Sequence, residues 1–164
     1  QTVKTKYGIS KIYQSSFLTT MLDTVPKKEL VNFFSNIFKQ EDPEVIYIPY
    51  RNDAHSDHAE VFDAATSCAK SFRYDSIKSV YVYETLSETG FGLRTDDLGF
   101  KPNLFVDITD YLQKKIDIMC VYENELGAFP FPRSIETIES LAKLRGSYIN
   151  AHAAEAFMVL KEVR

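Results

Sequence analysis

The sequence predicts an α/β fold in which helices cover both faces of a mainly parallel sheet. Two observations support this prediction. Strand-like and helix-like apolar patterns alternate through the first half of the chain. The 164 residues contain no internal repeat and no linker rich in Gly or Ser, which predicts a single domain over residues 1–164. With 45% hydrophobic residues, the chain can bury a core of ordinary size.

Two strands and a helix are predicted before the first polar loop. Residues 9–14 carry apolar side chains in a strand-like pattern. A loop over 21–25 leads to Pro26, which the first turn of a helix tolerates. Apolar residues then recur at helical spacing over about 14 residues. The inward face of this helix consists of Leu30, Phe33, Phe34, Ile37 and Phe38. Residues 45–49 are an unbroken apolar run, which is typical of a buried parallel strand.

A second helix, a strand and a long loop are predicted next. The helix follows the polar loop 51–58, and its apolar face consists of Val61, Phe62, Ala65, Cys68, Ala69 and Phe72. Asp57 and Glu60 have the spacing of a capping box, with Asp57 as the N-cap. A strand is predicted over 77–84. Residues 86–102 contain three glycines and favour a long loop, a feature that is usually functional in a compact domain.

The second half predicts two more strands and two more helices. The strands cover 103–108 and 156–163. Thr109 is a candidate cap for a helix whose face is Leu112, Ile116 and Met119. The prolines of segment 129–133 disfavour a helix there. Ser134 then caps the last helix, which ends before Gly146 and turns inward Ile135, Ile138, Leu141 and Ala142.

Composition excludes several classes of protein. The net charge is −4 and the basic residues are spread out, so a nucleic-acid binder is not expected. No apolar run reaches the ~18 residues of a membrane span, and no signal peptide is visible. Cys68 and Cys120 are expected to be reduced core thiols, which indicates a cytoplasmic protein. Because Met21 is the first methionine, we expect a segment before Gln1 to be missing.

The loop 51–58 concentrates the reactive side chains. It holds His55 and His58, two of the three histidines, together with two carboxylates. It follows a predicted strand, and parallel sheets bind ligands outside the carboxyl ends of their strands. Imidazole is a common zinc ligand, so an HxxH pair in this loop is a candidate metal site. The alternative is that both are ordinary surface histidines, since the motif lacks two further ligands nearby in sequence and His152 is remote.

Two more residues are candidate substrate contacts. Glu84 ends a predicted strand, where it could touch a ligand or simply be solvated. Arg133 could hold an anionic or hydroxyl-rich substrate, or it could pair with Glu136 at the start of a helix.

Several segments resemble the LmbE-like, or PIG-L, family of sugar de-N-acetylases. They occur in the order of that family and span residues 9–163. The segments are LDTVP at 22–26, VIY at 45–47, DAHSDH at 53–58, KPNLFVDI at 101–108, Tyr122, FPRS at 131–134, LRG at 144–146 and AEAF at 154–157. The resemblance implies a Rossmann-like fold and a zinc-dependent hydrolase that removes acetyl from N-acetylglucosamine units of a conjugate.

The resemblance also assigns roles. It implies that His58 is a zinc ligand and that His55 stabilises the oxyanion beside the metal. The family's Ala-His-Pro-Asp-Asp element, which carries the other ligands and the general base, is absent from this sequence. We therefore expect the later part of a de-N-acetylase domain without its first strand and helix, or an inactive relative that binds a sugar conjugate or a partner. A sheet without its first strand leaves the neighbouring strand unpaired at the edge, which predicts an oligomer or a companion chain that covers it.

Overall fold

The computed structural model describes residues 2–93, 95–96 and 99–164. The α-helices of this part of the chain are α1 (Thr2–Tyr7), α2 (Lys27–Glu41), α3 (Ser56–Cys68), α4 (Leu112–Met119) and α5 (Ile135–Ser147). Its strands are β1 (Val45–Pro49), β2 (Ser79–Tyr83), β3 (Leu104–Asp107) and β4 (Ala154–Glu162). Within these same residues, no helix is both long and apolar enough to cross a membrane.

The four strands form a mixed sheet in the order β1-β2-β4-β3. β1 and β2 are parallel, with Pro49 paired to Tyr83. β4 runs antiparallel to β2, with Val159 paired to Tyr81. The prediction of an α/β fold is thus confirmed, whereas the mainly parallel sheet is corrected to a mixed one. Apolar periodicity predicts that a segment is a strand but carries no information about its direction.

The contacts within the chain define two compact units. One comprises residues 1–14 and 105–156, and the other comprises residues 15–104 and 157–164. The single domain therefore stays a prediction. The second unit contains α2, β1, α3 and β2, and it carries the loop with the HxxH pair.

The core of this second unit lies on one face of β1 and β2. Ile46, Ile48, Val80 and Val82 pack there with Phe38 of α2 and with Ala65 and Cys68 of α3. Because neighbouring strand residues point to opposite faces, Val45 and Tyr47 lie away from this core. They are 43% and 55% exposed. The predicted strand 45–49 is confirmed, but it is buried on one face rather than two.

Three sequence predictions fail because burial is not a local property. Residues 9–14 form no strand: Ile9 and Ile12 are exposed, so their apolar pattern faces no core. Phe72 lies beyond the end of α3 and is 82% exposed. Cys68 is buried as expected, but Cys120 is exposed, and both are free thiols.

The other unit confirms one predicted helix cap and corrects another. Ser134 Oγ accepts a hydrogen bond from the Thr137 amide at 3.1 Å and so caps α5. Thr109 caps no helix, because its amide and hydroxyl both donate to the Asp107 carboxylate, at 2.8 and 2.6 Å. A 3₁₀ turn over Thr109–Tyr111 precedes α4 instead.

Gly146 lies in the last turn of α5 rather than after it. The chain returns across this glycine on its way to β4. A Cβ at position 146 would stand 2.6 Å from the Ala151 oxygen and 2.9 Å from the Ala153 backbone. The close approach of the returning chain therefore requires glycine at this position.

Candidate functional site

The loops that follow β1 and β2 meet at one edge of the sheet. Both strands end there because they are parallel and in register. The Ala54 amide donates a hydrogen bond to the backbone carbonyl of Glu88 at 3.1 Å. Gly92 lies so close to the Asn52 carbonyl that a Cβ would overlap it. The loop after β2 is therefore held directly against the loop that carries the histidines.

His55, not Asp57, is the N-cap of α3. Its backbone is extended, and its Nδ1 accepts a hydrogen bond from the Asp57 amide at 3.2 Å. The helix begins at Ser56, two residues before the start at His58 that a capping box with Asp57 as N-cap requires. The predicted capping box is therefore wrong. Glu60, its other member, pairs with Lys27 of α2 instead.

The buried carboxylate of Asp57 holds the segment before α2. Its Oδ2 accepts from the Thr20 amide at 2.7 Å, and its Oδ1 accepts from the Leu22 amide at 3.1 Å. These contacts join residues that are 35 and 37 positions apart. Asp57 thus fixes the entry of the chain against the start of α3, and both of its oxygens are occupied in doing so.

His58 is held by a second buried carboxylate. Its Nδ1 lies 2.6 Å from Asp53 Oδ2. The Asp53 side chain is fully buried, whereas the His58 side chain is 23% exposed. The other carboxylate oxygen, Oδ1, accepts from the Thr89 hydroxyl at 2.6 Å. The loop after β2 therefore reaches His58 through Asp53.

The two imidazoles present different groups at Nε2, because Nδ1 of one ring donates a hydrogen bond and Nδ1 of the other accepts one. An ionised carboxylate only accepts hydrogen bonds, so His58 Nδ1 donates to Asp53 and the lone pair of a neutral ring lies on Nε2. A backbone amide only donates, so His55 Nδ1 accepts and the proton of a neutral ring lies on Nε2. The rings are nearly parallel, with centroids 5.4 Å apart. One ring thus offers an acceptor atom and its neighbour offers a donor.

The pKa values of Tyr83 and Asp63, near the loop, are shifted. Burial raises the pKa of Tyr83, at the end of β2, and the negative charge of Asp53 adds to the shift. The hydrogen bond from Arg51 holds the pKa of Asp63 below its usual value, although partial burial opposes this. Arg51 Nε donates to Asp63 Oδ1 at 2.8 Å, so this arginine is paired with α3.

The remaining predicted residues lie at different places in the fold. Glu84 directly follows β2 and is half-buried at the sheet edge that carries the histidine loop. Arg133 belongs to the other compact unit, where its Nε donates to the Glu125 carbonyl at 2.9 Å and its Nη2 lies 3.0 Å from the Glu125 carboxylate. Glu125 is therefore an acidic partner of Arg133. His152 is exposed and lies in the same unit as Arg133.

These side chains do not make a complete zinc site. Catalytic zinc takes about three protein ligands. Over residues 2–93, 95–96 and 99–164, no three His, Cys, Asp or Glu side chains are grouped so that they could hold a metal ion. The Nε2 atom of His58 fits one ligand position. The two carboxylates of the loop, Asp53 and Asp57, are already engaged by hydrogen bonds.

The fold of the chain is that of the LmbE-like deacetylases, although no protein-family model matches the sequence. The chain is similar to the N,N'-diacetylchitobiose deacetylase of Pyrococcus horikoshii, with a TM-score of 0.76 and 19% identity over 98% of this chain. It spans 61% of the length of that deacetylase. It is also similar to the conserved protein TT1542 of Thermus thermophilus, with a TM-score of 0.72 and 18% identity over 99% of this chain and 71% of the other.

Proposed function

We propose that this chain carries part of the active site of a zinc-dependent hydrolase that removes acetyl from an N-acetylglucosamine-type conjugate. The observation that carries the proposal is the opposite hydrogen bonding of His55 and His58. The fold shared with a sugar deacetylase supports the choice of reaction. The two free cysteines support a cytoplasmic location for the protein.

His58 is the proposed zinc ligand. Histidines that bind metals commonly hold the second ring nitrogen against a carboxylate, which orients the ring and raises its basicity. The contact between Nδ1 and Asp53 has this form. When bound, zinc polarises the amide carbonyl of the substrate. The other ligands come from outside the described residues, either from an upstream segment or from a companion chain.

His55 is the proposed oxyanion donor. Hydrolysis of an amide places negative charge on the carbonyl oxygen, and a preorganised N–H group near this oxygen lowers the barrier. The ring is fixed because Nδ1 caps α3, which leaves the Nε2–H group free to donate. A ring whose Nε2 carries the proton is a poor metal ligand, so the two histidines divide the work.

Sugar contacts are proposed for the loop 86–102 and Glu84 in one unit, and Arg133 is a separate candidate contact in the other unit. Glu84 is supported by its position at the end of β2, beside the histidine loop. Arg133 is a planar donor that suits hydroxyl-rich ligands, and it stacks on the Phe131 ring at 5.2 Å. Residues 94, 97 and 98 of the loop lie outside the part of the chain that the structure describes.

A second candidate is a relative that binds a sugar conjugate or a partner without hydrolysis. The observation that favours it is the lack of a three-ligand group among the described residues. It predicts that the protein holds an amino-sugar conjugate yet releases no acetate with any divalent metal.

The test is a deacetylation assay on the protein encoded by the whole reading frame that contains this chain. We expect acetate release from N,N'-diacetylchitobiose or a related conjugate with zinc, and its loss with a chelator. His58→Ala should abolish release and lower the zinc content. His152→Ala, which changes the third histidine, is the matched control and should leave both unchanged. Ligand binding without acetate release at full zinc content would support the inactive relative instead.

A further inference from the structure

The Asp53 side chain is a buried carboxylate with a hydrogen-bond partner at each oxygen. Its side chain is fully buried, and a buried carboxylate is costly unless its oxygens are hydrogen-bonded. Both oxygens have partners: Oδ2 meets His58 Nδ1 and Oδ1 meets the Thr89 hydroxyl, each at 2.6 Å. The carboxylate therefore lies between the histidine loop and the loop after β2.

The direction of each hydrogen bond in this group is fixed. The Thr85 amide donates to Thr89 Oγ1 at 2.8 Å. The Thr89 hydroxyl proton is then free to go to Asp53 Oδ1. Asp53 uses its second oxygen to accept from His58 Nδ1. The hydrogen bonds therefore run in one direction from the Thr85 backbone to Asp53, and a second acceptor contact remains for the imidazole.

We propose that Asp53, oriented by Thr89, is the positioning residue that fixes the ring orientation and tautomer of His58. It keeps the proton on Nδ1 and so presents Nε2 as the acceptor atom. What binds at Nε2 rests on the proposed function, but the positioning itself does not. Since Thr89 belongs to the loop after β2, the conformation of that loop is coupled to the presentation of His58.

Two backbone contacts make this coupling rigid. The Ala54 amide donates to the Glu88 oxygen, next to Thr89. Gly92 lies against the Asn52 carbonyl, next to Asp53. A movement of the loop after β2 would therefore displace Asp53 and its hydrogen bond together, and His58 would lose its orientation.

The substitution Asp53→Asn separates this role from simple packing, because it keeps the shape and removes one acceptor. Thr89 still needs an oxygen at this position, so the amide oxygen of the new side chain takes its proton. The amide NH₂ group then faces His58 and donates to Nδ1. The proton of the ring must move to Nε2, which gives His58 the tautomer of His55.

The measurement is the tautomer of each histidine in the 164-residue chain, from imidazole ¹H–¹⁵N spectra at about pH 8.5, above the ordinary histidine pKa. We expect a proton on Nδ1 of His58 in the parent chain and on Nε2 in Asp53→Asn. Asp63→Asn, the same substitution at the carboxylate paired with Arg51, is the matched control and should leave the tautomer of His58 unchanged. A parent chain with the proton on Nε2 of His58 would overturn the proposal, whether or not the variant folds.

A zinc titration of the same samples keeps this test separate from that of the proposed function. We expect the His58 ring to respond to zinc in the parent chain, and Asp53→Asn to weaken the response about 10- to 100-fold. If the tautomer inverts as expected but zinc never perturbs His58, the positioning role stands and the proposed zinc ligand fails. If zinc binds equally well to both chains while the tautomer of His58 is the same in both, the positioning role fails.

Discussion

Removing the Asp57 carboxylate should destabilise the protein by releasing the segment before α2. In Asp57→Ala, the amides of Thr20 and Leu22 lose acceptors that now lie at 2.7 and 3.1 Å. Hydrogen bonds to charged groups contribute about 1.5–3 kcal/mol each. Thr20 is exposed, so water replaces part of its bond. We therefore expect a loss of about 2–3 kcal/mol in the free energy of unfolding.

The assay is urea and thermal unfolding followed by circular dichroism. At about 2–4 °C per kcal/mol for a chain of this size, the expected decrease in Tm is about 5–10 °C. Asp57→Asn keeps one side-chain oxygen acceptor and should lose roughly half as much. Asp63 lies on the same helix as Asp57 and forms an exposed ion pair with Arg51. Asp63→Ala is therefore the control and should lower the free energy of unfolding by under about 1 kcal/mol.

Amide hydrogen exchange locates the effect. Protection should fall at Thr20 and Leu22 in Asp57→Ala, while α3 keeps its own cap through His55. If instead the first turn of α3 lost protection and residues 20–22 did not, Asp57 would be the helix cap that the sequence predicted. A change in stability of less than about 0.5 kcal/mol would contradict the expected strength of the two hydrogen bonds.

Three further predictions concern the same loops. Gly92→Ala should cost about 1–3 kcal/mol, because its Cβ meets the Asn52 carbonyl; thermal unfolding checks this, and an unchanged Tm would contradict the close contact. His55→Ala in the full-length protein should retain zinc but slow acetate release by about 100- to 1,000-fold, and loss of zinc instead would make His55 the ligand. The pKa of Asp63 is lower in the folded protein, so its pairing stabilises the fold above the ordinary value of 3.8 and is lost as the pH falls further. At neutral pH, the free energies of unfolding of the parent and of Asp63→Asn should therefore differ by under about 1 kcal/mol. In acid the two values should converge, and a difference that grows as the pH falls would refute this.

Local patterns predicted the elements that depend on local spacing. The helical repeat around Phe34 gave α2, the apolar run at Ile46 gave β1, and Ser134 was identified as the cap of α5. The failures depend on partners distant in sequence. Ile12 has an apolar pattern but no core to cover, and the direction of β4 is set by its pairing with β2.

The candidate site shows the same division. The HxxH pair could be found from sequence, since two histidines follow a strand and precede a helix. Their partners could not. Asp53 meets Thr89 across 36 positions, and Asp57 meets Thr20 across 37. The capping-box spacing of Asp57 pointed to a local role, but the distant amides compete for its carboxylate and His55 takes over the cap.

Calorimetric titration of zinc into the 164-residue chain tests most directly whether the chain supplies one zinc ligand, His58, to a site completed elsewhere. We predict weak binding, because the described residues contain no three-ligand group. His58→Ala should weaken it further, and His152→Ala should leave it unchanged. Tight one-to-one binding that survives His58→Ala would contradict the account, because the ligands of the site would then lie within this chain but not at His58.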